Sequence, residues 1–329
     1  MPLDSFHRDI NYLRISLTDR CNLRCQYCMP LHGLRFLPSP ELLTAEEIER
    51  VVRAAAGIGF RKFRLTGGEP TLRPDLVEIT RRIASVSGAH DLGMTTNGML
   101  LERLAQPLKD AGLKRVNVHI DSLNEERVKK LMRFVDLEAV WRGVRAAEAA
   151  GLTPLKMNAV IARGWNEDDV VELARLTIEN DWQMRFIELM PLGAGAEAQF
   201  SIDRYVSNVE SRQKIEQALG KLEFVANDNP SDEAVNYRLP NARGIIGFIS
   251  PVSEPYCGTC NRMRLTADGK FHLCLLHDDE IDVRQIVRSG GTVADIQEVL
   301  NRAIHVKPTG HGLAFGVHTL NRKMHQIGG

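Results

Sequence analysis

The chain has 329 residues, with 43% hydrophobic and 26% charged side chains, an ordinary mixture for a soluble globular protein. Its 42 basic and 42 acidic residues cancel, which excludes a general nucleic-acid or membrane-surface binder, since those carry excess positive charge. No apolar run approaches the ~20 residues that span a bilayer, and the opening MPLDSFHRDI lacks the basic and apolar regions of a secretory signal, so a cytoplasmic protein is expected.

Apolar, β-branched runs predict strands over 12–18, 60–66, 91–96, 115–121, 155–161 and 184–190. Helical patterns fill the gaps. The clearest starts at Thr44, where Glu47 completes a capping box and Gly57 and Gly59 end the run. A second begins at Pro74-Asp75, with proline suited to a first turn; others fit 101–111, 136–150 and 167–179. Six strand–helix units in series predict an α/β fold, a parallel sheet with helices outside, curled into an incomplete (βα)6 TIM-like barrel. Such barrels place their chemistry at the C-terminal ends of the strands.

After about residue 222 the order changes. Short strands fit 222–226, 244–249, 261–266 and 270–275, the last two flanking the turn signal Asp268-Gly269. Helices fit near 281–288 and 292–304. The chain is therefore expected to divide into a partial barrel, 1–221, and a smaller C-terminal α+β section, 222–329, packed on it.

The six cysteines fall in two groups of three. Cys21, Cys25 and Cys28 have the spacing C-x3-C-x2-C directly after the first predicted strand. A clustered set in a reducing compartment points to metal binding or catalysis. Structural zinc takes four protein ligands, and a fully ligated 4Fe–4S cluster takes four cysteines. Three thiolates leave one iron open for a substrate or cofactor; zinc with His32 as fourth ligand is the alternative. The second predicted strand ends in Gly67-Gly68-Glu69-Pro70. Paired glycines let backbone approach a ligand closely.

Cys257, Cys260 and Cys274 have the spacing C-x2-C-x13-C, and His277 offers a Cys3His zinc alternative. Against zinc stand Arg262 and Arg264, two apart on one predicted strand face just beyond Cys260. Arg14, Lys62, Arg64, Lys156 and Arg185 also lie on predicted strands. Inward charges in a barrel are costly unless an anion meets them. Seven such cations predict a phosphate-rich ligand, which arginine binds bidentately; the competing expectation is that some of them face solvent.

The first trio together with GGEP resembles the radical S-adenosylmethionine enzymes, in which the cluster's open iron chelates the cofactor and its electron releases a 5′-deoxyadenosyl radical. With TGGEPTLR and CNRMRLTADGKFHLC added, the chain is similar to the GTP 3′,8-cyclases of molybdenum cofactor biosynthesis. The similarity runs from YLRISLTDRCNLRCQYCMP to Gly328-Gly329. It implies two 4Fe–4S clusters, one on each trio, and S-adenosyl-L-methionine as cofactor. It implies GTP as substrate, converted to (8S)-3′,8-cyclo-7,8-dihydroguanosine 5′-triphosphate. Arg14, Lys62, Arg64, Lys156, Arg185, Arg262 and Arg264 match the family's substrate-binding cations. Tyr27, Gly68, Thr95 and Met190 match positions near the adenosylmethionine. Arg14 and the tail residues Gly328 and Gly329 match its catalytic set. The resemblance further implies a reductant or electron-donor protein, a downstream cyclic pyranopterin monophosphate synthase, and a homodimer.

One departure stands out. The family reads VSLDSL or similar where this chain has VHIDSL, so His119 replaces a serine that contacts the adenosylmethionine. An imidazole still offers a hydrogen bond there. The competing readings are a radical maturase with an auxiliary cluster, which typically carries more C-terminal cysteines, and a zinc-stabilised binding protein without catalysis.

Overall fold

A computed structural model describes residues 2–193, 195–313 and 321–328. Gly329, expected to act in the tail, lies outside the described residues. The first half alternates strand and helix: β1 (Tyr12–Ser16), α1 (Ala45–Gly57), β2 (Lys62–Thr66), α2 (Leu76–Ser85), β3 (Asp91–Thr96), α3 (Leu101–Asp110), β4 (Arg115–His119), α4 (Glu125–Met132), α5 (Leu137–Ala149), β5 (Lys156–Ile161), α6 (Val170–Glu179) and β6 (Gln183–Glu188). Local chemistry explains the helix starts. Thr44 and Glu47 form the expected capping box of α1, while Asn124 and Asp136 accept from backbone N–H groups to start α4 and α5.

The remainder comprises α7 (Ala196–Asp203), α8 (Asn208–Leu219), β7 (Glu223–Val225), β8 (Val235–Arg238), β9 (Ile245–Ile249), β10 (Arg262–Leu265), β11 (Lys270–His272), β12 (Glu280–Asp282), α9 (Arg284–Arg288) and α10 (Val293–His305). The twelve strands among the described residues form one sheet in the order β12-β11-β10-β1-β2-β3-β4-β5-β6-β9-β8-β7. The run from β10 through β9 is parallel, and two antiparallel strands flank each end. Residues beyond 222 thus supply strands to both edges of the barrel sheet.

Several local expectations need correction. The segment near 281–288 was expected to be helical, but Glu280–Asp282 pairs with β11 and the helix starts only at Arg284. The strand expected to reach 275 ends at His272, leaving Cys274 in the following loop. Elements β8, β12, α4, α7 and α8 carried no sequence signal strong enough to place them.

Strand alternation sets the inside and outside of the barrel. Leu13, Ile15, Phe63, Leu65, Met157, Ala159, Met184 and Phe186 join the buried apolar cluster together with Ile48, Val51, Val52, Ile79 and Leu173 of the helices. The alternate positions, Tyr12, Arg14, Lys62, Arg64, Lys156, Asn158 and Arg185, face the interior. Burying the outer face supplies the stabilising apolar area, which leaves the inner face free for polar chemistry. Among the described residues no helix is long and apolar enough to cross a membrane.

Candidate active site

The first cysteine loop is built by zipping two strand exits together. The Gly68 N–H donates to Thr18 O and the Glu69 N–H to Arg20 O, each at 2.7 Å. A Cβ on Gly68 would lie 2.3 Å from Arg20 O, so only glycine permits this approach. The Glu69 side chain, 1% exposed, accepts from Thr71 Oγ1 at 2.6 Å, Thr96 Oγ1 at 2.7 Å and Asn97 N at 2.7 Å. It braces the ends of β2 and β3. On the far side of the loop, Arg24 N donates to Met132 O and Gln26 N to Leu131 O, tying it to α4.

Cys21, Cys25 and Cys28 are all free thiols. Burial pushes Cys21 up to about 12, and burial likewise raises Cys25 and Cys28 far above an ordinary thiol. Only a bound cation would hold three such groups as thiolates together. Among the described residues no three or more His, Cys, Asp or Glu side chains are arranged to hold a single metal ion, and His32 is exposed. Three partly buried free thiols in one loop fit a cluster with one open iron.

Tyr27, within the loop, reaches into the barrel. Its hydroxyl donates to Asp121 Oδ2 at 2.7 Å and lies 2.6 Å from His119 Nε2, which is itself 3.2 Å from Asp121 Oδ1. Burial works against a charged His119, but the Asp121 carboxylate outweighs it and raises the imidazole pKa. Nearby, Thr95 Oγ1 is buried with no hydrogen-bond partner among the described residues. Met190 packs on the Leu192, Leu276 and Ile327 cluster. Gly328, at φ +69, places its Cα where a Cβ would fall 2.3 Å from Thr66 Oγ1 and 3.3 Å from Ser16 Cβ. The described end of the tail thus lies against the interior faces of β1 and β2, and Arg264 Nη1 donates to Gly328 O.

The seven cations are brought together by strand register. Arg14 pairs across the sheet with Arg264 on one side and Arg64 on the other. One row nearer the N-terminal ends, Tyr12 lies between Arg262 and Lys62. Two glycines make room for guanidinium groups. Gly93 stands beside Arg64, where a Cβ would be 3.3 Å from Nη2, and Gly247 stands beside Arg185, where a Cβ would be 3.2 Å from Cγ. Arg64 Nε donates to Tyr12 Oη at 2.5 Å, and Lys62 Nζ sits 4.7 Å from the Tyr12 ring centroid. Burial, then Arg185, lowers Lys156 to about 8; burial, then Arg14, lowers Arg264 to about 9. Neighbouring cations add to burial in depressing these two groups, and at Lys156 the carboxylates of Asp232 and Glu233 work against it.

A cavity of about 730 Å³ opens at the N-terminal ends of the strands, bordered by Lys62, Arg64, Lys156, Arg185, Asp232 and Glu233. Four of the cations thus border an opening at the N-terminal ends of the strands, opposite the end that carries the first cysteine loop. Two acids were missed by sequence reasoning. Glu233 accepts from Arg185 at 3.1 Å and Arg262 at 2.7 Å, and Asp232 lies 3.4 Å from Lys62 Nζ. The acidic run Asp228 to Glu233 was the available signal.

The second trio lies along the strand direction from the first. Cys260 lies two residues before the start of β10, whereas Cys21 follows the end of the parallel strand β1. The two trios therefore lie off opposite ends of this parallel strand pair. Cys257–Thr259 forms a short 3₁₀ turn, and Arg8 Nη1 donates to Cys257 O at 2.9 Å. Burial would raise Cys260, but Lys307 and Arg262 bring it down to about 7. Burial raises Cys274 in spite of Lys307. His277 Nδ1 is 3.4 Å from Asp279 Oδ2, and the His277 backbone N–H donates to Cys274 O at 3.3 Å.

A parallel barrel with a three-cysteine loop after β1 and a glycine turn after β2 defines the radical S-adenosylmethionine class. Residues 15–177 match the Radical SAM superfamily, and residues 182–313 match the family described as Molybdenum Cofactor Synthesis C. The crystal structure of Streptococcus suis SuiB bound to S-adenosylmethionine is similar in fold, with TM-score 0.56 and 15% identity over 88% of this chain and 66% of that one. The chain is 47% identical to a GTP 3′,8-cyclase of Pelotomaculum thermopropionicum and 44% identical to one of Moorella thermoacetica, in each case over 99% of both chains. It belongs to the GTP 3′,8-cyclase family.

Proposed function

We propose that this chain cyclises GTP to (8S)-3′,8-cyclo-7,8-dihydroguanosine 5′-triphosphate, the first step of molybdenum cofactor biosynthesis, in the cytoplasm. The observation that carries the reading is the rank of interior guanidinium groups, Arg264, Arg14 and Arg64, held in register between two three-thiol loops. A nucleoside triphosphate has both the charge to meet that rank and the length to extend from one loop toward the other.

Cys21, Cys25 and Cys28 would hold a 4Fe–4S cluster, and Tyr27, Gly68, Thr95, His119 and Met190 would border the adenosylmethionine. When bound, that pair supplies a radical able to take hydrogen from the ribose. Thr95 Oγ1 is an open polar contact for the cofactor, since it is buried without a partner among the described residues. Lys62, Lys156, Arg185 and Arg262 would grip the triphosphate, with Arg64, Arg264 and the catalytic Arg14 deeper in the barrel. Cys257, Cys260 and Cys274 would hold a second cluster facing the base, so that 222–329 acts as the substrate section. Gly328 and Gly329 would bring the tail to the reacting end, where Gly328 already meets Thr66 and Arg264. The partners proposed on family grounds are a reductant or electron-donor protein, a downstream cyclic pyranopterin monophosphate synthase and a second copy of the chain.

The test is anaerobic reconstitution followed by incubation with GTP, S-adenosylmethionine and a strong reductant. Deoxyadenosine formation that requires GTP, or is far faster with it, supports the reading. Cleavage indifferent to GTP would overturn the substrate.

A further inference from the structure

Lys307 follows the end of α10 and is 3% exposed. Its Nζ donates at 2.6 Å to Leu273 O, the carbonyl adjoining Cys274. The lysines that form ion pairs among the described residues are Lys62, Lys129, Lys214, Lys270 and Lys323. Lys307 is absent from that set although it is among the most deeply buried cations. An ammonium taken out of water without a counter-charge is costly, so its position calls for an anion. Cys274 follows Leu273 directly in the chain, so the carbonyl that Lys307 holds sets the ammonium beside the second thiol site.

The segment that follows closes over the third cysteine. A Cβ on Gly310 would lie 3.6 Å from Cys257 Cβ and 3.7 Å from its Sγ. Arg8 fastens the two pieces together, with Nη1 donating at 2.9 Å to both Cys257 O and Thr309 O and Nη2 donating at 2.7 Å to Pro308 O. Residues 307–310 therefore form a wall of the second thiol site, with one fixed positive charge in it.

We infer that Lys307 is the resident counter-ion of the second metal centre and biases that centre toward its reduced, more negative state. The inference rests on the second cluster proposed above. Three thiolates make such a centre anionic, and one-electron reduction by an external donor adds a further negative charge. A buried cation stabilises the reduced form more than the oxidised one. Lys307 is thus a positioning residue acting through the cluster, not a group that touches substrate.

The experiment compares the full chain with Lys307→Met, which keeps the length and removes the charge, and Lys307→Arg, which keeps the charge. Each is reconstituted anaerobically, assayed for iron and sulfide, and titrated with dithionite under electron paramagnetic resonance, with the first cluster as internal reference. The expected result is about eight irons per chain in all three, with the potential of the second centre moved to more negative values in Lys307→Met, restored in Lys307→Arg, and the first centre unmoved. An unmoved second potential at full iron content in Lys307→Met overturns the inference while leaving the cluster. Loss of the second cluster in Lys307→Met but not in Lys307→Arg still supports a charge role; loss in both assigns Lys307 to packing and overturns it. A wild-type chain with about four irons removes the second cluster itself, and the inference with it.

Discussion

Glu233 Oε2 accepts a hydrogen bond from Arg262 Nη1 at 2.7 Å, and its other oxygen accepts from Arg185 Nη1 at 3.1 Å. Arg262 opens β10 and Arg185 lies on β6, so one carboxylate links cations from the two sides of the barrel opening. Burial would raise the Glu233 pKa, but Arg262, Arg185 and Lys62 hold it far below the ordinary range. The carboxylate meets the positive charge that a triphosphate would meet.

Glu233→Gln keeps the shape and removes that charge. Without nucleotide the chain is expected to lose about 1–3 kcal/mol of stability, because buried cations lose a partner. GTP should then stabilise the variant more than the wild type, and the KM for GTP should fall. Thermal melts with and without GTP check both; an unchanged response to GTP would separate Glu233 from the substrate cations.

Cys25→Ser should abolish adenosylmethionine cleavage and remove about four irons per chain. Cys257→Ser should remove a similar amount yet spare uncoupled cleavage, while GTP cyclisation disappears. Iron analysis paired with product chromatography distinguishes the two loops, and cyclisation surviving in Cys257→Ser would deny the second loop its place at the base.

His119 gives a pH dependence. Its folded pKa lies above the ordinary 6.5 because Asp121 outweighs burial. A raised pKa contributes stability that is fully present below 6.5 and is lost as pH rises through the folded value. His119→Ser should therefore be less stable than wild type toward about pH 5.5 and draw level toward about pH 8.5. Melting temperatures of both proteins across that range are the measurement; parallel curves would show that His119 does not charge in the fold.

Gly328 occupies a left-handed conformation against Thr66. Gly328→Ala adds both a backbone cost of about 1 kcal/mol and a collision, so the tail should be displaced. Turnover is expected to fall on the order of tenfold or more, with iron content unchanged. Deleting 328–329 should do the same, and full turnover in either variant would show that the tail serves no catalytic end.

The sequence alone determined the strand–helix rhythm of the barrel, the capping of α1 and the two cysteine trios. Periodicity, caps and metal-ligand spacing act over a few residues, so they are legible locally. It also marked Arg14, Lys62, Arg64, Lys156, Arg185, Arg262 and Arg264 as a set, because charge on a barrel strand is costly and therefore conspicuous. Only the tertiary structure decided that β10 lies beside β1, which sets Arg264 against Arg14 across 250 positions of chain. It alone placed Glu233 between two edges, Lys307 against the second trio, and Gly93 beside the Arg64 guanidinium. Strand pairing at that distance follows from burying the outer faces under the helices, a property of the whole sheet that no local pattern encodes.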